Sequence, residues 1–131
     1  MLNFNLQLFG GRGSGGGKGG GGNVQTEEAK QFNSYAVNTL RENGYQKAAD
    51  AIRDIEKATP SEYTFTVTDV YGSSGGFEAY SENKSTKERV LLYVSTAVKS
   101  GDLRYKTAGN RSYSPITTRK SFSKVLDNLF R

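Results

Sequence analysis

An α+β domain, a small antiparallel sheet of two hairpins packed with three to four helices, is predicted by three features of this sequence. Apolar residues recur at helical spacing in several stretches, two other stretches alternate at strand period around glycine-containing turns, and a glycine tract sets a short apolar leader apart from all that follows. Residues 1–22 read as leader and flexible linker, and residues 23–131 as a single globular domain with one modest core.

The linker holds ten glycines in the thirteen positions 10–22, too many to offset the entropy of ordering, so residues 1–22 are expected to be disordered and dispensable for folding. Gly11, Gly13 and Gly16 satisfy G-x-G-x-x-G only as any glycine tract does, with no βαβ unit around them. A phosphate loop fails because Arg12 stands where its first glycine belongs and Gly19 follows Lys18 where Ser or Thr is needed. Met1 to Phe9 is apolar but short, has no basic leading region and is broken by Asn and Gln, a poor secretory signal. No apolar run approaches the ~20 residues of a membrane span, and an intracellular product is expected.

Thr26 is placed to cap a first helix with Glu27 and Glu28 in its opening turn and Ala29, Phe32, Ala36 and Leu40 along one stripe. Asn43-Gly44 reads as its stop; Tyr45, Ala48, Ala49, Ile52 and Ile55 form a second stripe ending before Thr59-Pro60. One long helix weakened at Gly44 is the alternative. Tyr63 to Thr68 alternates large apolar residues with threonine, a strand with one buried face, and Gly72 to Gly76 turns it into a partner at Phe77 to Tyr80. Ser85-Thr86-Lys87-Glu88 has the form of a capping box, Val90, Leu91, Val94, Ala97 and Val98 follow at helical spacing, and Gly101 is a natural stop. A central helix over 85–101 is therefore expected, with a strand over Val90 to Val94 as the weaker competitor. Leu103 to Thr107 and Arg111 to Ile116 would pair about a turn at Gly109-Asn110, placing Leu103, Tyr105 and Ile116 on one face and Arg104, Lys106, Arg111 and Tyr113 on the other. Thr117 or Thr118 opens a last helix striped by Phe122, Val125, Leu126, Leu129 and Phe130, with Arg119, Lys120 and Lys124 off the stripe.

The net charge of +5 is unevenly spread: residues 23–98 sum to −3 and residues 99–131 to +6. The C-terminal third is thus a candidate contact for an anionic partner, with Arg104, Lys106, Arg111, Arg119, Lys120 and Lys124 supplying charge and Tyr113 a stacking face. A plain solvated surface is the alternative use of the same charges. The absence of cysteine and histidine removes thiolate nucleophiles, His-based triads and the usual zinc sites. Acid–base work would fall to carboxylates, Lys or Tyr; Asp69 and Glu78 are the pair that a hairpin could bring together. No catalytic, cofactor or metal site is assigned, and a non-enzymatic protein is expected.

Leu2-Asn3-Phe4-Asn5-Leu6-Gln7-Leu8-Phe9-Gly10-Gly11-Arg12-Gly13-Ser14 resembles the leader that begins many proteins of tailed bacteriophages and prophages, often head-morphogenesis or minor capsid proteins and their small neighbours. The resemblance covers about a tenth of the chain and implies phage origin more than any one activity. The Glu-x-Glu tripeptide of the ADP-ribosyltransferase domains that some phage head proteins carry does not occur here. With the tethered apolar leader, the resemblance supports a virion or head-assembly binding protein, in the cytoplasm of the infected host or in the virion; a phage structural protein, or nucleic acid at the basic segment, is the expected partner, and no cofactor is expected. A small inhibitor of host defence, anti-CRISPR-like and binding a nuclease or its nucleic acid, is the alternative.

Overall fold

The computed structural model describes residues 27–130; the leader, the glycine tract and Thr26 lie outside them. Two helices come first, α1 (Glu27–Glu42) and α2 (Gln46–Ala58), followed by five strands and a final helix. The strands are β1 (Tyr63–Tyr71), β2 (Gly76–Asn83), β3 (Arg89–Thr96), β4 (Leu103–Thr107) and β5 (Ser114–Ile116), and the helix is α3 (Arg119–Leu129). The sheet is an antiparallel meander in the order β1-β2-β3-β4-β5. The α+β reading therefore holds, with three helices and one continuous sheet in place of two separate hairpins.

Gly44 separates α1 from α2 at φ +88°, a conformation that costs glycine little and would strain a residue with a Cβ, so the two-helix reading is correct. Ala36, Val37 and Leu40 of α1 and Ala48, Ala49, Ile52 and Ile55 of α2 enter the core. The alternation expected for Tyr63 to Thr68 is present, the partner strand expected at 77–80 forms, and both strands run further than expected. A register shift between Val67 and Asp69 then lets Val70 take the inward side opposite Phe77. At the turn that follows, Gly75 has φ +75°, and a Cβ there would overlap the Tyr45 ring, so the position favours glycine on both counts.

The central helix expected over 85–101 does not form. Arg89–Thr96 is the middle strand of the sheet, and 84–86 form a turn organised by Asn83, whose side-chain oxygen accepts from the amides of Ser85 (2.9 Å) and Thr86 (3.0 Å). Residues 90–98 fit two periods. The helical stripe would bury Val98, which is 95% exposed, and leave aside Leu92, which is fully buried. The strand period instead buries Leu92 and Val94, with Val90 packed beside them, and turns Leu91 and Tyr93 outward. The choice is made by neighbours: β2 and β4 each offer an open edge that β3 fills by hydrogen bonding on both sides.

The hairpin register predicted for the basic segment is the observed one, with Leu103 opposite Ile116, Arg104 opposite Pro115 and Tyr105 opposite Ser114. Its ladder ends sooner, because the Asn110 amide bonds to the Thr107 carbonyl and closes a turn with Gly109 at φ +99°, leaving Arg111 in a loop. Thr118 caps α3 in a reciprocal box with Ser121, and Val125 and Leu129 are buried, as the stripe predicts.

All three helices lie on one side of the sheet. Phe65, Val67, Phe77, Ala79, Leu92, Val94, Leu103 and Tyr105 point inward to meet them in a single core. The two edge strands are protected differently. β5 is three residues long with Pro115 at its centre, whereas the outer edge of β1 is held by α1: the Asn33 amide nitrogen donates to the Phe65 carbonyl (3.1 Å) and its oxygen accepts from the Val67 amide (2.7 Å). Asn33 is fully buried and also donates to Glu56 Oε2 (2.8 Å), whose other oxygen takes Arg53 at 2.7 Å.

Candidate interaction surface

With every helix on one side, the outward residues of the strands make a surface that no helix covers. The register assembles these residues into rows across the sheet. One row runs Asp69, Glu78, Tyr93, Lys106, and the Tyr113 ring stands beyond it, 5.1 Å from the Lys106 nitrogen. The row above places Ser95 beside Arg104 and Arg104 beside Pro115, and the row below runs Thr66, Tyr80, Leu91. Acid thus collects on β1 and β2, base on β4, and an aromatic and aliphatic strip lies between them.

On the basic side the cations rest on tyrosine rings. The Arg104 guanidinium is 5.4 Å from the Tyr113 centroid, and Lys106 is 5.6 Å from Tyr93 as well as 5.1 Å from Tyr113. Such contacts contribute roughly 0.5–1 kcal/mol each at exposed sites, enough to orient the side chains and little enough for a partner to displace them. Arg89 lies 4.2 Å over the Tyr80 ring and is also paired with Glu82 at 2.9 Å, so its charge is already answered. Among the described residues the ion pairs are Arg41–Asp50, Lys47–Asp102, Arg53–Glu56 and Arg89–Glu82, and Arg104 and Lys106 belong to none of them.

The seven residues proposed from sequence do not form one face. Arg104, Lys106 and Tyr113 come together as the register requires. Arg111 is exposed in the loop before Tyr113, with no contact that ties it to the cluster among the described residues. Arg119, Lys120 and Lys124 are exposed on α3, which packs against the inward side of the sheet and so carries them away from Arg104. Sequence reasoning missed Tyr80, Leu91 and Tyr93. Their signal was the alternation of Leu91 and Tyr93 with Leu92 and Val94, hidden by the helical reading of the same stretch.

Asp69 and Glu78 do approach across the first hairpin, in register with each other. The Tyr71 hydroxyl lies 2.5 Å from Glu78 and 3.3 Å from Asp69. Its hydrogen bond to Glu78, then desolvation and the two carboxylate charges, push the tyrosine ionisation well above its ordinary range. A tyrosine held neutral between two carboxylates is a structural tie at the acidic end of the surface. A groove of about 720 Å³ lies between the α1–α2 turn and the β3–β4 loop, lined by Ser73, Ser74, Thr96, Val98 and Arg104 among others, and by Lys47, which is paired with Asp102. Among the described residues no group of three or more acidic side chains is placed to hold a metal ion, and no helix is long and apolar enough to cross a membrane.

Comparison with protein-family models, with curated proteins and with solved structures finds no match to this chain.

Proposed function

We propose that this chain is a phage-encoded, non-enzymatic binding protein associated with virion or head assembly, whose contact surface is the uncovered face of the sheet. The observation that carries the reading is the cluster of Arg104 and Lys106 on Tyr113 and Tyr93, cationic side chains pre-oriented on aromatic rings where no helix shields them. That combination suits a phosphate-bearing strand or an acidic protein surface. The phage context rests on the resemblance of residues 2–14 to the leader of tailed-phage proteins, and it sets the place of action as the infected host cytoplasm or the virion. The same surface would serve an anti-CRISPR-like inhibitor that binds a nuclease or its nucleic acid. Mass spectrometry of purified virions separates the two: presence of the chain supports assembly, and its absence despite expression during infection supports inhibition.

The ligand class is tested with DNA and RNA oligonucleotides, single-stranded and duplex, at two salt concentrations. Neutralised phosphates release counterions, so affinity for nucleic acid should fall steeply with salt. Arg104→Gln, Lys106→Gln and Arg111→Gln together should flatten that slope while the melt stays cooperative, lowered only by the ~1.5–3 kcal/mol of the three ring contacts removed. Undetectable binding at low salt removes nucleic acid and leaves a protein partner.

A further inference from the structure

We propose that the uncovered sheet face binds a second copy of this chain, face to face, about a twofold axis that runs along β3. The inference rests on the reading of that face as the contact surface, gives it to a second copy in competition with an anionic partner, and follows from the order of charges across it. In the row Asp69, Glu78, Tyr93, Lys106, followed by Tyr113, acid lies on one side of β3 and base on the other. Rotation by a half turn about the β3 direction keeps each row at its own level and reverses its order. Glu78 of one copy then stands over Lys106 of the other, twice by symmetry, while Tyr93 meets Tyr93 and, one row below, Leu91 meets Leu91. Leu91 is an outward-facing leucine with 42% of its surface exposed, in the middle of this face. One row further down Arg89 also meets Arg89 at the axis, and the charge of each is answered within its own chain by Glu82 at 2.9 Å.

A second copy fits this surface better than an anionic strand does. Nucleic acid would gain from Arg104 and Lys106 but meet Asp69 and Glu78 two to three strands away, about 10–15 Å at the strand spacing of a sheet. A second copy satisfies both halves at once. Five strands at ~4.8 Å spacing and a strand length of some seven residues give a face of roughly 500 Å² per copy, ~1,000 Å² in all, at the lower limit for a specific interface. Aligned packing of two sheets is a standard arrangement for such faces. An area at this lower limit belongs with weak, transient interfaces and not with obligate ones.

Sedimentation of the full chain over a concentration series from about 1 μM to 1 mM tests this, the expected result being a concentration-dependent shift towards twice the 14.3 kDa chain mass. Glu78→Lys alone and Lys106→Glu alone should each abolish the shift, because each places like charges across the twofold. Mixing the two single variants, or combining both changes in one chain, should restore it, since opposite charges then meet again. Melts report whether each variant folds; if either single reversal unfolds the chain, Leu91→Glu supplies an independent break at the axis. Three results would overturn the proposal: a monomer throughout the series, a dimer indifferent to Leu91→Glu and to both reversals, or loss without rescue in the mixture and the double variant. A monomer that binds oligonucleotides through Arg104 and Lys106 also overturns it, and assigns the face to an anionic partner while the binding reading stands. Absence from virions and from every partner assay, with the dimer intact, would instead sink that reading and leave the interface.

Discussion

Asn33 is where one substitution should cost this domain most for its size. The side chain is fully buried and makes three hydrogen bonds, two of them to the outer edge of β1 at Phe65 and Val67. Asn33→Ala removes the side chain that bonds the Val67 amide and the Phe65 carbonyl, in a strand whose residues 65 and 67 are themselves buried. Each such bond lost in a buried site costs about 1–3 kcal/mol, so the pair should cost about 3–5 kcal/mol. That is a large share of the ~5–15 kcal/mol that holds a domain together. At roughly 4–8 °C per kcal/mol for a domain of this size, the melting temperature should fall by ~12–40 °C. Asn38→Ala, on the exposed side of the same helix, should change stability by less than ~0.5 kcal/mol. Amide hydrogen exchange supplies the local readout, with Val67 losing protection in Asn33→Ala beyond the global change. A fall in melting temperature under ~5 °C, with Val67 still protected, would show that water or a shifted side chain satisfies the edge and that Asn33 does not clip it.

Two further outcomes test the sheet and its acidic end. Val94→Asp should cost several kcal/mol by burying an unpaired carboxylate, roughly the whole margin of a modest domain, whereas Val98→Asp should stay within ~0.5 kcal/mol because Val98 is 95% exposed; equal losses at both positions would favour a helix there after all. In an absorbance titration the difference between wild type and Tyr71→Phe should appear above the ordinary tyrosine value of ~10, and Glu78→Gln should bring it down. Because the folded value lies above the unfolded one, the contribution of the neutral hydroxyl is complete below pH ~10 and is lost as pH rises towards the folded value; a Tyr71 that titrates at the ordinary value of ~10 would remove this tie.

Local chemistry determined much of this protein. Gly44 ends one helix and Thr118 starts another because the required backbone conformation and the capping hydroxyl are properties of those residues themselves. The register that sets Leu103 against Ile116 is also local, since strands joined by a short connection have few ways to align their inward residues. Alternation from Tyr63 onward likewise marked an inward face that the structure keeps. Residues 90–98 were different: they satisfy a helical and a strand period alike, and only the open edges of β2 and β4 on either side made the strand the lower state. The placement of Asn33 against the β1 edge was equally beyond the sequence, because a buried asparagine announces itself only when the unpaired backbone it serves is known. Tertiary structure also divided the basic residues of the C-terminal third. Proximity along the chain grouped Arg104, Lys106, Arg111, Arg119, Lys120 and Lys124, but packing α3 against the inward side of the sheet sent the last three away from the first two. Sequence determines how much charge a segment carries; the side of the sheet on which each side chain emerges is set by strand register and helix packing, and these arise only when the whole core closes.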